Sequence, residues 1–109
     1  MRKIITYGGY FEEFIRTLNP QELRKVDYLV SLLATEDRIP SKFVKSIRDG
    51  LYELRIKAGA NIYRVFFIFD GGNIVVLFNC FQKKTKKTPK KEIEKAFKIK
   101  EAYYADKQS

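Results

Sequence analysis

Hydrophobic positions change their spacing several times along the chain, and each change marks an element. Residues 2–7 (RKIITY) read as a short strand. Over 10–18, Tyr10, Phe11, Phe14, Ile15 and Leu18 recur at helical spacing. Asn19-Pro20-Gln21-Glu22 has the form of a second helix start, with Asn19 as N-cap, Pro20 at the first helical position and Glu22 reaching back. That helix is expected to run to about residue 35 and to bury Leu23, Val26, Leu29, Val30 and Leu33. Residues 36–50 form a connection that contains Pro40 and ends at Asp49-Gly50. It has room for an extra short strand around Phe43-Val44.

Three strands are expected next. LYELRIK (51–57) alternates, with Tyr52, Leu54 and Ile56 on one face and Glu53, Arg55 and Lys57 on the other. IYRVFFIF (62–69) is almost wholly apolar, as a central strand covered on both faces would be. Asp70-Gly71-Gly72-Asn73 is a hairpin turn leading into NIVVLFNCFQK (73–83). Thr88 caps and Pro89 starts a last helix to about residue 104. The expected order is β-α-α-β-β-β-α. This is an α+β fold with a small, mainly antiparallel sheet, read as a single domain over 1–109.

Composition adds bounds. With 45% hydrophobic and 15% aromatic residues the chain can build an ordinary core. No apolar run approaches the roughly 18 residues of a membrane span, and the start lacks the apolar run of a signal peptide. The single cysteine, Cys80, permits no internal disulfide and reads as a small buried hydrophobe. A cytoplasmic protein is the expectation. The formal charge is +9 and is unevenly placed. Residues 83–109 carry ten basic and four acidic side chains, so two thirds of the excess lies in the last quarter. Lys83, Lys84, Lys86, Lys87, Lys90 and Lys91 fall within nine residues directly after a hydrophobic strand. Such asymmetry favours an anionic partner.

Arg64 is the residue that does not fit its surroundings. A guanidinium within IYRVFFIF costs several kcal/mol unless it is paired or solvated. If the strands on either side of Ala58-Gly59-Ala60-Asn61 pair as a hairpin, Arg55 and Arg64 point into one cleft. A structural Arg64–Glu53 ion pair is the alternative use of the same residue. Two arginines and nearby lysines can clamp a phosphate, Arg through planar bidentate donors and Lys as a mobile charge. Tyr52, Tyr63, Phe66 and Phe81 could stack on bases, though core packing suffices to explain them. The chain has no histidine, which removes imidazole acid–base pairs and Ser-His or Cys-His nucleophiles. It also lacks a metal-ligand cluster and a glycine-rich phosphate loop. Charge stabilisation by Arg and Lys, with Lys, Tyr or Glu moving protons, would suit RNA, whose 2′-OH is a built-in nucleophile.

The stretch GLYELRIKAGANIYRVFFIFDGGNIVVLFNCFQKKTKKTPKKEIEKA (50–96) resembles the RelE/ParE toxin superfamily in its HigB-like, phage-derived branch. The pieces that carry it are GLYELR, YRVFF, a hairpin turn, F-x-KKT-x-KTP and a helix beginning KEIEKA. The resemblance implies the toxin of a type II toxin–antitoxin pair. Such a toxin is a ribosome-dependent, metal-independent mRNA endonuclease without a cofactor, neutralised by a helix-turn-helix, HigA-like antitoxin. Carried over by position, the basic catalytic set falls on Arg64, on Arg55 and on Lys83 or Lys84, with Lys57 on the same strand as Arg55 as an RNA-binding residue. Lys86, Lys87, Lys90 and Lys91 would then hold ribosomal RNA. Some relatives use histidines or a C-terminal tyrosine; the former are missing here, and Tyr103 and Tyr104 are the nearest counterparts of the latter. The same fold also serves toxins that poison DNA gyrase without cutting RNA, and an inactive antitoxin-binding remnant is a further alternative.

Overall fold

A computed structural model describes residues 1–108. Along the chain run β1 (Lys3–Thr6), α1 (Tyr10–Arg16), α2 (Pro20–Thr35), β2 (Val44–Arg48), β3 (Leu51–Ala58), β4 (Asn61–Asp70), β5 (Ile74–Gln82) and α3 (Lys90–Gln108). The strands form one sheet in the order β1-β5-β4-β3-β2. β1 pairs with β5 in parallel and every other pairing is antiparallel. The α+β class and the helix-flanked meander are as the sequence predicts.

The 36–50 connection does hold an extra strand, β2, so four strands rather than three lie between α2 and α3. Asp49 and Gly50 both take positive φ, 50° and 78°, which makes them a two-residue hairpin turn between β2 and β3. A register shift between Ser46 and Arg48 places the half-buried Val44 and Ile47 three positions apart. The alternation that would announce a strand is thereby broken.

Each face of the sheet has its own core. On one, Val26, Leu29 and Leu33 of α2 meet Leu54, Ile56, Val65, Phe67, Val75 and Leu77, with Phe11, Phe14 and Ile15 of α1 beside them. On the other, Ala96, Ile99 and Tyr103 of α3 cover Leu51, Phe66, Ile68, Val76 and Phe78. β4 lies between its neighbours with both faces covered, which is why its sequence is almost wholly apolar apart from Arg64 and its ends.

The helix starts differ in an instructive way. Asn19 and Glu22 form the expected capping box: the Glu22 amide donates to Asn19 Oδ1 at 2.8 Å, and the Asn19 amide donates to Glu22 Oε1 at 3.0 Å. The other Glu22 oxygen accepts from the Tyr63 hydroxyl at 2.6 Å and from Asn61 at 3.0 Å, tying α2 to β4. At α3 the expected Thr88 cap is not made. The Ile93 amide donates to the Pro89 carbonyl, so Pro89 precedes the first helical residue. The Thr88 hydroxyl instead donates to Glu53 Oε2 at 2.7 Å. α3 continues past residue 104 to Gln108, where Asp70 accepts from Tyr103 and Lys107, each at 2.6 Å. Among the described residues no helix is long and apolar enough to cross a membrane.

Leu54 has no exposed surface and sits in the α2-side core. Leu54→Ala is expected to lower stability by about 2–5 kcal/mol. In urea the unfolding midpoint should fall at an unchanged m-value; a shift below about 1 kcal/mol would mean that this core closes over the cavity.

Candidate nucleic-acid interface

The β3–β4 turn sets the geometry of the site. Ala58 pairs with Asn61, leaving only Gly59 and Ala60 in the loop, and Gly59 takes φ 62°, which a primed two-residue turn needs. Counting back from that turn, Arg55 falls directly opposite Arg64. On the next pairing Arg64 lies opposite Phe81, and the Lys83 amide extends the β4–β5 ladder by donating to the Ile62 carbonyl at 2.7 Å. Two rows of side chains therefore cross three strands on one face: Arg55, Arg64, Phe81, and then Lys57, Ile62, Lys83. They lie on the α3 side of the sheet, past the end of the apolar surface that α3 covers.

Arg64 is 6% exposed; it pairs with Glu53 and also lines a cleft together with Arg55. Its Nε lies 3.4 Å from Glu53 Oε1, without the alignment of a hydrogen bond, and its Nη1 donates to the Tyr63 carbonyl at 3.1 Å. Glu53 is itself 1% exposed and also accepts from Thr88. Arg64 and Arg55 nevertheless line one open cleft of about 340 Å³, with Lys57, Lys25, Lys42 and Phe43 among its other walls. The ion pair thus anchors Arg64 within the cleft wall.

The electrostatics are those of crowded cations. Burial pushes the Arg64 guanidinium below its ordinary value; Glu53 opposes this, and the Arg55 charge adds to it. Lys83, half-buried, is lowered first by burial and then by the Arg64 charge, with Arg55 and Lys45 contributing and Glu53 again opposing. An anion entering the cleft relieves that repulsion.

The remaining expected residues separate by position. Lys57 is exposed and lines the cleft. Lys84, Lys86, Lys87, Lys90 and Lys91 are exposed on the β5–α3 connection and the start of α3, and none of them lines the cleft. Tyr103 and Tyr104 are not near it. The Tyr103 hydroxyl donates to Asp70, six residues along β4 from Arg64, or roughly 20 Å. Of the four aromatics, Tyr63 and Phe66 are buried and Tyr52 stacks on Phe67, so these three serve the core. Phe81 stacks on Phe66 next to Arg64 and stays half-buried. Burial pushes the Cys80 thiol up, which keeps it unreactive. Sequence reading did not identify Lys25, Lys42 and Lys45. They come from α2 and the β2 region, and no local motif marks residues that only folding brings together.

A family model for Gp49-like phage-derived proteins (DUF891) matches residues 13–101. The match spans α1 to the middle of α3, and the chain belongs to that family. The family is associated with toxins of toxin–antitoxin systems, some of which are RNases. Among curated proteins none matches the chain.

Removing one member of a buried ion pair leaves the other charge unpaired, whereas removing both need not. Glu53→Leu is expected to destabilise by about 3–5 kcal/mol, and Glu53→Leu with Arg64→Leu to recover most of that loss. Urea unfolding of the two single variants and the double variant measures the coupling. Additive losses would show that Arg64 and Glu53 are energetically independent.

Proposed function

We propose that this protein is the toxin of a type II toxin–antitoxin pair and acts as a ribosome-dependent mRNA endonuclease of the HigB-like branch. The observation that carries the reading is the buried Arg64, held by Glu53 directly opposite Arg55 at an open cleft, with Lys83 in the next row on the same sheet face. The family association with toxins supports it.

In this reading the scissile phosphate lies against Arg55 and Arg64. The adjacent 2′-oxygen attacks phosphorus and its proton passes to water in the open cleft. The guanidinium groups stabilise the added charge on the phosphorane. The P–O5′ bond breaks, and Lys83 gives its proton to the departing 5′-oxygen. The products are a 2′,3′-cyclic phosphate and a 5′-hydroxyl. The lowered Lys83 fits that role, because a weaker hold on its proton makes an ammonium a better donor. Lys84, Lys86, Lys87, Lys90 and Lys91, exposed on one connection, hold the protein on ribosomal RNA by charge. A HigA-like helix-turn-helix antitoxin with an acidic contact surface neutralises the +9 chain in the cytoplasm.

Expression in a bacterial host with transcript 5′ ends mapped is the test. Wild type should arrest growth and create new ends within translated codons. Arg55→Ala, which leaves the Glu53–Arg64 pair in place, and Arg64→Ala should each reduce cutting about 10²–10³-fold. Growth arrest without new ends would turn the assignment toward a protein target such as gyrase.

The proton-donor role has its own signature. Lys83 acts while protonated, and its pKa is below the ordinary lysine value, so cleavage on isolated ribosomes should fall on the alkaline side, with the fall beginning below pH 10.5. Lys83→Ala should lower the rate about 10²–10⁴-fold and remove that limb from the profile. An alkaline limb that persists in the variant would assign the donor to another group.

A further inference from the structure

A second groove adjoins the cleft. It has a volume of about 390 Å³ and is lined by Gln21, Arg24, Lys25, Tyr28, Lys57, Ala58 and Gly59. Lys25 and Lys57 line both hollows, so the two adjoin at those side chains and together trace a path along the surface. The path starts at Arg64, passes the rim of β3 at Lys57 and climbs onto α2. Arg64, Arg55, Lys42, Lys57, Lys25 and Arg24 border it, and no Asp or Glu lines either part. Its far end carries Tyr28, 55% exposed and the only large aromatic among the described residues to stand so far out. α2 buries Val26, Leu29 and Leu33 instead, so Tyr28 lies off the helix stripe that packs on the sheet.

We infer that this path is a subsite for the single-stranded RNA flanking the cut, with Arg24, Lys25 and Lys57 on its phosphates and Tyr28 stacked on one unpaired base. Several cations along one path, with an exposed ring at its end, are what a single strand requires. Acidic side chains would break such a row, and none intrudes. A double helix has no free base face for the ring, so the strand is unpaired where it crosses α2. The inference rests on the RNA reading of the cleft and extends it from one phosphate to several nucleotides. It also gives Lys57 a place between the reacting phosphate and the flanking ones.

The test measures binding without cutting. Fluorescence anisotropy with a labelled single-stranded RNA dodecamer, 2′-O-methylated so that it cannot be cleaved, gives affinity over a range of salt. Tyr28→Ala should weaken binding roughly 5- to 100-fold, and Tyr28→Phe, which keeps the ring, should stay within about twofold of wild type. Lys25→Ala should weaken binding and reduce the magnitude of the log–log salt slope by about 0.7–1. Wild-type affinity in Tyr28→Ala would overturn the stacking subsite while leaving the cleft reading to the transcript experiment. An equal loss of affinity for a polyglutamate peptide would show a general anion surface and would also overturn it. Absence of any binding by wild type, together with absence of new transcript ends, would remove the RNA reading as a whole.

Discussion

The β3–β4 turn is the constraint on which the site depends. Two residues, Gly59 and Ala60, join strands whose side chains alternate between two different cores. A slip of one residue would send Arg64 into the α2-side core and push Val65 out of it. The tight loop prevents that and sets Arg55 beside Arg64 without any direct attraction between them. Once the register holds, burying Arg64 demands a counter-charge, and Glu53 is positioned on the neighbouring strand to supply one. Glu53 has a second partner in Thr88, so the residue that holds the arginine also holds the segment carrying the lysines.

This arrangement separates two kinds of positive charge. Arg64 is buried, oriented and costly to place, so it keeps one geometry. The lysines beyond Lys83 are solvated and mobile and contribute chiefly long-range attraction, which salt screens. Lys83 lies between these limits: half-buried, fixed through its backbone to Ile62 and destabilised as a cation by its neighbours. A cleft of this kind gains most from an anion that reaches Arg55, Arg64 and Lys83 at once.

Much of this was legible from residue order, because the governing signals are local. The Asn19–Glu22 box, the apolar run of β4 and the alternation of β3 each report their own element. Arg64 was conspicuous because a charge in such a run has to be explained. What escaped depended on tertiary context. β2 was foreseen only as room for a short strand around Phe43-Val44, because a bulge breaks its alternation, although Asp49-Gly50 already carried the turn signal. Thr88 before Pro89 has the local form of a cap, but a buried carboxylate across the sheet is a stronger partner for its hydroxyl than an exposed amide. Lys25, Lys42 and Lys45 enter the site from elements distant in sequence, and the helical spacing of α2 says nothing of what lies across the sheet rim.

The parallel pairing of β1 has a consequence for how the molecule comes into being. Lys3 sits opposite Ile74, so β1 cannot find its place until β5 has emerged. Until then the chain has an unpaired N-terminal segment and, in α2, a helix whose apolar stripe has nothing complete to cover. Lys83, reached only through β5, joins the face that carries Arg64 once β4 and β5 have paired. A chain halted before β5 would therefore hold the Arg55–Arg64 pair with no Lys83 beside it.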